Sequence, residues 1–184
     1  VHGGMGFIEE TGAAQHYRDA RITTIYEGTT GIQAADLVGR KLLRDGGDAI
    51  YELIEQARVD LAQINSAESE SLKIIFTNVS AALDRLSTAT DWMLEAGIQD
   101  ARRPYASSFH YLMLWGNVAG GWQMARAAGV AARHLATGEG HQEFYRSKSL
   151  TCRHYCEQVL PESEAHYQAI ISGSDTVLAA AQYI

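Results

Sequence analysis

Proline is nearly absent from this sequence, which has only Pro104 and Pro161 in 184 residues. Because proline interrupts helices, its scarcity favours long ones, and alanine is frequent while alternating Val/Ile runs are few. Hydrophobic residues make up 46% and charged residues 20%, a balance typical of a globular chain and not of a disordered one. The composition therefore predicts an all-α protein with one substantial core or two small ones.

Cysteine is scarce as well, since the sequence has only Cys152 and Cys156. Four residues apart in a helical context, the two share a helix face, but the geometry of a regular helix does not favour a disulfide between them. His154 would point away from that face and there is no second cysteine pair, so we predict no metal site. Reduced cysteines are typical of the cytoplasm, which is the location we expect.

Positive charge is in deficit, with a net charge of −7. This balance argues against nucleic acid or an anionic membrane surface as the main partner. The short basic clusters Arg40-Lys41 and Arg102-Arg103 are interleaved with acids and indicate solvated helix faces. No nucleic-acid partner is therefore expected.

A membrane span and a leader peptide are two further features that the sequence does not suggest. Residues 104–125 contain no Lys, Arg, Asp or Glu, but polar side chains and glycines interrupt the stretch. We predict a buried bundle helix there, with Gly116, Gly120 and Gly121 letting a neighbouring helix approach closely. The sequence does not begin with a charged and then apolar leader, and its first residue is Val1 and not Met. We therefore expect a fragment or a processed piece.

Apolar residues at helical spacing are what the sequence does have. The pattern predicts helices over 9–21, 29–45, 48–64, 70–97, 104–137 and 141–160, a shorter helix after Pro161, and one or two turns near the C-terminus. Glycines interrupt the first 45 residues. The later helices carry apolar stripes that can be buried by packing against one another. We therefore predict two parts, 1–45 and 46–184, the second an all-helical bundle for packing or assembly.

One carboxylate stands out in the stretch RITTIYEGTTGIQAADLVGRKL, residues 21–42. Glu27 follows Ile25 and Tyr26, an approach that we expect to be buried, and it precedes Gly28, which leaves open space beside the carboxylate. A carboxylate in an apolar pocket becomes a better base once a substrate excludes water. Glu27 is therefore a candidate general base.

A second interpretation of Glu27 is structural. Thr29 or Thr30 supplies the hydroxyl that caps the following helix, where free amides and the helix dipole favour a negative charge. Glu27 would then stabilise the start of that helix, and the same amides could bind a phosphate or a pyrophosphate. The residues alone leave both interpretations open.

The order of several motifs is more specific than any one of them. GG-x-GF, a helix ending in YRDARI, then IYEGT and IQ entering the next helix resemble the C-terminal end of the acyl-CoA dehydrogenase family. These flavoenzymes have an N-terminal helical domain, a middle β domain and a C-terminal four-helix domain. The long helical extension is similar to a larger subgroup with an additional C-terminal domain. The resemblance implies that 1–45 ends the catalytic domain and that 46–184 is the additional domain.

The resemblance also implies roles for the residues of the motif. Glu27 matches the base that removes the α-proton of an acyl-CoA thioester, while the β-hydrogen leaves as hydride to the flavin. Its backbone amide matches a hydrogen-bond donor to the thioester carbonyl, and Gly28 matches the small residue along the substrate. The product would be the trans-2-enoyl-CoA, as in fatty acid metabolism.

The implied cofactor is FAD, bound by two groups of residues. Thr29, Thr30 and Gly31 match positions that contact FAD at the helix start. The segment His2, Gly3 and Gly4 matches one that touches the FAD of a neighbouring subunit, which implies a homo-oligomer, a dimer or a tetramer. Two positions depart from the family pattern: Gly31 replaces a polar side chain, and Met5 stands where Asn is frequent.

The resemblance further implies an electron-transfer flavoprotein as the electron acceptor. This piece alone is expected to be inactive, since most of the flavin and CoA pockets belong to other domains. Arg18 and Asp19 are expected to form a structural ion pair. Two alternatives stay open, namely a helical oligomerisation or interaction module and a family member with a nucleic-acid-binding role.

Overall fold

The computed structural model describes residues 2–26, 28–64, 69–180 and 183. Within these ranges the chain is helical and contains no β-strand, which confirms the all-α prediction. The α-helices are α1 (Ala13–Ile22), α2 (Thr30–Asp36), α3 (Asp48–Ala62), α4 (Glu70–Gln99), α5 (Arg102–Ala106), α6 (Ser108–Thr137), α7 (Gln142–His154), α8 (Glu162–Ile171) and α9 (Asp175–Ala180). Short 3-10 segments cover Gly3–Phe7 and Glu9–Thr11, and π-helical segments cover Leu37–Leu42 and Tyr155–Val159.

The two longest helices, α4 and α6, form the centre of the bundle. Helix α6 packs against α4, α7 and α8, and α3 packs against α4 and α6. Their fully buried apolar side chains recur at spacings of three, four and seven residues, as one face of a helix requires. They include Ile75, Val79, Leu83, Leu86 and Met93 of α4 and Tyr111, Leu114 and Val118 of α6. Each such side chain contributes about 1.5–3 kcal/mol on burial, so this core dominates the stability of the bundle.

A hydroxyl pair links α4 to α6 inside this core. Thr90 Oγ1 donates to Leu86 O at 2.8 Å and lies 2.8 Å from the hydroxyl of Tyr111. Burial raises the pKa of Tyr111 to about 12, which keeps the phenol neutral. The polar atoms of two fully buried side chains are thereby satisfied, as a dry core requires.

The glycines of α6 allow close helix packing at two of the three predicted positions. A Cβ at Gly120 would collide with the ring of Tyr155, whose hydroxyl donates to Asn117 O at 3.1 Å. A Cβ at Gly121 would lie 3.1 Å from Leu160 Cδ1. At Gly116, however, a Cβ would meet no atom within 4 Å, so no described helix uses that position. The prediction that 104–125 is mostly a buried bundle helix is confirmed.

The predicted helix 9–21 begins late, at Ala13. Residues 9–11 form a separate 3-10 turn instead, because Gly12 adopts the left-handed conformation with φ +75°. Thr11 Oγ1 fixes this turn by hydrogen bonds to Met5 O and Ile8 O, both 2.9 Å long.

The predicted helix that starts at Pro104 is divided in two. Proline lies in the first turn of α5, where no N–H is needed, but α5 ends at Ala106. Ser107 N donates to Pro104 O at 3.2 Å in a tight turn, and α6 then begins at Ser108.

The two cysteines are free and buried. Burial raises the pKa of Cys156 to about 12 and also raises the pKa of Cys152, so both thiols stay protonated near neutral pH. In the part of the chain that the structure describes, no three His, Cys, Asp or Glu side chains form a group that could hold a metal ion. None of the described helices combines the length and the apolar character that crossing a bilayer demands.

Candidate functional site

Helix α2 and the π-helical segment after it form one continuous helix from Thr30 to Leu42, which we call the motif helix. The hydrogen bond from Leu43 N to Val38 O, 2.9 Å long, spans five residues and marks the π geometry. The motif helix packs against α6 of the bundle. It therefore connects the IYEGTT segment directly to the bundle core.

The buried face of the motif helix differs from the predicted one. The apolar spacing of 29–45 predicts one broad buried face that includes Ile32, Leu37, Leu42 and Leu43. In the structure Ala34, Val38 and Leu42 are fully buried at a repeat of four residues, whereas Ile32 is 61% exposed. Val38 and Leu42 lie in the π segment, whose wider turn keeps residues four apart in line. Ile32 lies in α2, two residues before Ala34, and is therefore on roughly the opposite side of the helix. Leu42 was predicted correctly, and Val38 was missed.

The start of the motif helix confirms the predicted threonine cap. Gly28 has φ +104°, a conformation that favours glycine, and a Cβ there would lie 3.2 Å from Ile32 Cγ2. The side chain of Thr29 accepts the N–H of Ile32 at 3.3 Å, so Thr29 is the N-cap and Thr30 is the first helical residue. Thr30 and Gly31 are exposed, which leaves the first turn open to a ligand.

Glu27 lies outside the described residues, so its predicted role stays a prediction. Its neighbours Ile25 and Tyr26 are described, and the expectation that they are buried is wrong. They are 57% and 51% exposed in a turn that follows α1, where Ile25 N and Tyr26 N both donate to Ile22 O. No described element covers these side chains enough to bury them.

The second group of predicted site residues, His2, Gly3 and Gly4, is exposed at the start of the first 3-10 segment. Gly3 has φ +55°, and a Cβ at Gly3 or Gly4 would meet no atom within 4 Å. The backbone is therefore accessible to a ligand. This segment packs against α1, whereas the motif helix packs against α6, so the described chain does not build one enclosed site from both groups.

A pocket with a volume of about 570 Å³ lies beside the segment Gly3–Phe7. It is lined by Gly6, Phe7, Ile8, Glu9, Ala14, Tyr17 and Arg18. On it, Arg18 donates to both oxygens of Glu9, with Nη1–Oε1 at 2.7 Å and Nη2–Oε2 at 3.0 Å. The guanidinium holds the pKa of Glu9 below its ordinary value. The predicted pairing of Arg18 with Asp19 is thus corrected to Glu9, because the 3-10 turn brings residues nine apart into contact.

Most large apolar side chains of the first 32 residues are exposed. They are Met5, Phe7, Ile8, Tyr17, Ile22, Ile25, Tyr26 and Ile32, exposed by 38% to 88%. Phe7, Ile8 and Tyr17 line the same pocket, and exposed apolar surface that clusters in this way is typical of a site of contact with another protein surface or a ligand. We call these eight side chains the N-terminal apolar surface.

Two family models match the chain. Residues 1–43 match the model described as "Acyl-CoA dehydrogenase, C-terminal domain", and residues 50–181 match "Acetyl-CoA dehydrogenase C-terminal like". The matched ranges lie on either side of Gly46 and Gly47, and the division at residue 45 stays a prediction. The fold and these matches define a helical C-terminal region of a dehydrogenase.

Curated relatives agree with the models. The chain is 43% identical, over 98% of its length, to 3-methylmercaptopropionyl-CoA dehydrogenase of Ruegeria pomeroyi, and covers 30% of that protein. It is 32% identical, over 86% of its length, to a broad-specificity linear acyl-CoA dehydrogenase of Mycobacterium tuberculosis, and covers 27% of it. It shares 58% identity with human short-chain specific acyl-CoA dehydrogenase over 42 residues, 23% of this chain and 10% of that protein.

The chain belongs to the acyl-CoA dehydrogenase family, because one of its models matches residues 50–181, well over half of the 184 residues. It spans about 30% of the length of the Ruegeria pomeroyi relative.

Proposed function

We propose that this chain is part of an FAD-dependent acyl-CoA dehydrogenase and that Glu27 is its catalytic base. The observation that carries the proposal is the match of residues 1–43 to the C-terminal domain of acyl-CoA dehydrogenases, a range that includes Glu27. The names of the relatives support the substrate class, since each acts on an acyl-CoA. The reaction is oxidation of an acyl-CoA to its trans-2-enoyl-CoA.

In this reaction Glu27 accepts the proton from the carbon next to the thioester. Its backbone N–H donates to the thioester carbonyl and makes that proton more acidic, as an oxyanion-type donor does. Gly28 has no side chain, so an acyl chain can lie against its backbone. The proton and the hydride leave adjacent carbons, which creates the double bond.

FAD, when bound, supplies the hydride acceptor. The residues that would hold it are Thr29, Thr30 and Gly31 at the open first turn of the motif helix. His2, Gly3 and Gly4 would contact the FAD of a neighbouring subunit. These positions fit the cofactor because they are exposed and because added Cβ atoms at Gly3 and Gly4 would meet nothing within 4 Å. Most of the flavin pocket would come from the part of the relatives that lies outside the matched region.

The proposal extends to the assembly, location, electron acceptor and domain organisation of the full-length protein. The full-length protein is a homo-oligomer, a dimer or a tetramer, and acts in the cytoplasm in fatty acid metabolism. It passes its electrons to an electron-transfer flavoprotein. Residues 46–184 form the additional helical domain of the larger subgroup.

The test is the variant Glu27→Gln in the full-length enzyme, with Glu10→Gln as a matched control on an exposed acid of the 3-10 segment before α1. Because a positioned general base contributes about 10²–10⁴-fold, we expect Glu27→Gln to lower kcat by that factor while FAD stays bound. Acyl-CoA-dependent reduction of an artificial acceptor measures kcat, and the flavin absorbance measures cofactor content. Glu10→Gln should match the wild type.

Two results would contradict the proposal. One is a Glu27→Gln enzyme that turns over at the wild-type rate. The other is the 184-residue chain binding stoichiometric flavin and oxidising acyl-CoA by itself, since the proposal assigns most of both pockets to other parts of the protein.

A further inference from the structure

The motif helix meets the bundle at a tight contact between Gly39 and Tyr105 of α5. A Cβ at Gly39 would lie 2.5 Å from Tyr105 Oη, closer than real contacts allow, and 3.4 Å from Cζ. Glycine is therefore what lets the tyrosine ring lie directly on the helix backbone. Because no described hydrogen bond involves the Tyr105 hydroxyl, the ring acts at this point by packing.

A second contact lies one turn further along the chain. A Cβ at Gly97, near the end of α4, would lie 3.1 Å from Leu43 Cδ2 and 3.3 Å from Pro104 Cγ. Leu43 directly follows the motif helix, and Pro104 precedes Tyr105. We call Gly39, Leu43, Gly97, Pro104 and Tyr105 the seam. Both of its glycines bring the motif helix close to the corner formed by α4 and α5.

Packing at the seam can influence where the IYEGTT segment lies, because the motif helix runs without a break from that segment to the seam. Nine residues separate Gly39 from Thr30, which corresponds to about 13 Å of helix. Ala34 and Val38 are fully buried against the bundle, so the helix is held along this length as well as at the seam. A change in its tilt at Gly39 therefore moves the Thr29 cap at its start.

We propose that the packing of Tyr105 on Gly39 helps to position Glu27, three residues before the motif helix in the sequence, for proton abstraction, so that the C-terminal bundle supports catalysis. This inference rests on the proposed function and assigns no chemical step to Tyr105. Tyr105 and Gly39 are positioning residues, and they act through the motif helix. Catalysis is sensitive to such positioning, since a displacement of about 1 Å lowers rates by about 10²-fold.

The primary test is Gly39→Ala in the full-length enzyme. Alanine favours helix over glycine, so this change does not weaken the helix itself. Tyr105 is 45% exposed and its ring can move away, so the protein still folds. We expect kcat to fall by about tenfold or more, with a small change in KM and with FAD still bound, because the ring that moves away no longer packs on the motif helix and no longer holds it at the seam.

The matched rescue is Tyr105→Phe. This change removes the hydroxyl that an added Cβ would meet and leaves ring carbons at 3.4 and 3.5 Å from it, an ordinary contact. Tyr105→Phe alone should keep the wild-type kcat. The double variant Gly39→Ala/Tyr105→Phe should regain most of the activity that Gly39→Ala loses.

Two control glycines on α6 separate positioning from general stability. Gly116→Ala adds a Cβ with no atom within 4 Å and should change neither kcat nor the melting temperature by more than a small amount. Gly121→Ala adds a Cβ 3.1 Å from Leu160 and 3.5 Å from Val79, outside the seam. It should lower the melting temperature but leave the kcat of the folded enzyme unchanged.

Several results would overturn the proposal. One is an unchanged kcat in Gly39→Ala, another is a loss of kcat that Tyr105→Phe does not reverse, and a third is an equal loss of kcat in Gly121→Ala. The failure of the proposed function looks different, because the wild-type protein itself would then show no acyl-CoA oxidation.

Discussion

Large apolar side chains are buried in the helical bundle but exposed in the first 32 residues. In the bundle, side chains such as Leu86, Leu114 and Ile170 are completely buried in one hydrophobic core. In the first 32 residues, Phe7 is 88% exposed, and α1 packs mainly on the two short 3-10 segments before it. The helices of the bundle bury one another's apolar side chains, whereas the N-terminal apolar surface stays exposed.

The difference indicates which region needs the rest of the protein. A core of buried leucines and isoleucines can stabilise a helical bundle without a partner. An exposed apolar surface next to glycines with open backbone is typical of a surface that another part of the protein covers. The motif helix joins the two regions, since it begins at Thr30 and ends at Leu42 in the bundle core.

The largest expected effect is in the core of the bundle. Leu86→Ala in the 184-residue chain should lower the free energy of unfolding by about 2–5 kcal/mol, because it leaves a cavity at a position with no exposure. Leu53→Ala is the matched control, since Leu53 is 47% exposed and should cost much less. Urea unfolding followed by circular dichroism measures both. Equal losses in the two variants would break the comparison.

A smaller, pH-dependent effect is expected where α6 meets α8. His110 Nδ1 and His166 Nδ1 lie 3.2 Å apart, a contact that needs one donor and one acceptor and therefore at least one neutral ring. Burial, and then the charge of His110, lower the pKa of His166 below its ordinary value, while Glu162 on α8 opposes the shift. Phe109 packs edge-on against both rings.

The sign of the pH effect follows from this shift. Because the folded pKa of His166 is depressed, the unfolded chain binds the proton more readily. The stabilisation is present above about pH 6.5, the ordinary value for histidine, and is lost as the pH falls through the lower folded pKa. The urea concentration at the unfolding midpoint should fall as the pH is lowered from about 7.5 to about 5. The fall should be smaller in His166→Asn than in the wild type. The same pH dependence in that variant would contradict the assignment.

The smallest effect is expected on the N-terminal apolar surface. Phe7→Ser in the 184-residue chain should change the free energy of unfolding by less than about 0.5 kcal/mol, since Phe7 is 88% exposed and loses few contacts. In the full-length enzyme the same substitution should be clearly more destabilising, because another surface would cover the ring. A thermal shift for both lengths sharpens the comparison, and equal, small shifts at both lengths would argue that Phe7 is never covered.

Much of this organisation is readable from sequence. Apolar spacing predicted α3, α4 and the buried part of α6, because these helices bury one face in contacts that repeat with the helical period. The capping hydroxyl was narrowed to Thr29 or Thr30, and the structure selects Thr29. Local propensity and periodicity carry that information in the chain itself.

Other features could not be predicted because they depend on contacts beyond local spacing. The side of the motif helix that is buried carries Ala34 and Val38, and Ile32 lies on roughly the opposite side, so it was misassigned. Ile25 and Tyr26 look like core residues by composition, yet no described element buries them. The pairing of Arg18 with Glu9 depends on a turn at Gly12, and nothing in the spacing distinguishes Glu9 from Asp19 as its partner.

Amide hydrogen exchange, compared between the 184-residue chain and the full-length protein, tests the central claim most directly. The account predicts strong protection of α4 and α6 in both proteins. It also predicts rapid exchange of the amides in residues 2–26 in the shorter chain and clear protection of the same amides in the full-length enzyme. Equal protection of residues 2–26 in both proteins would contradict it, since those residues would then need no covering surface.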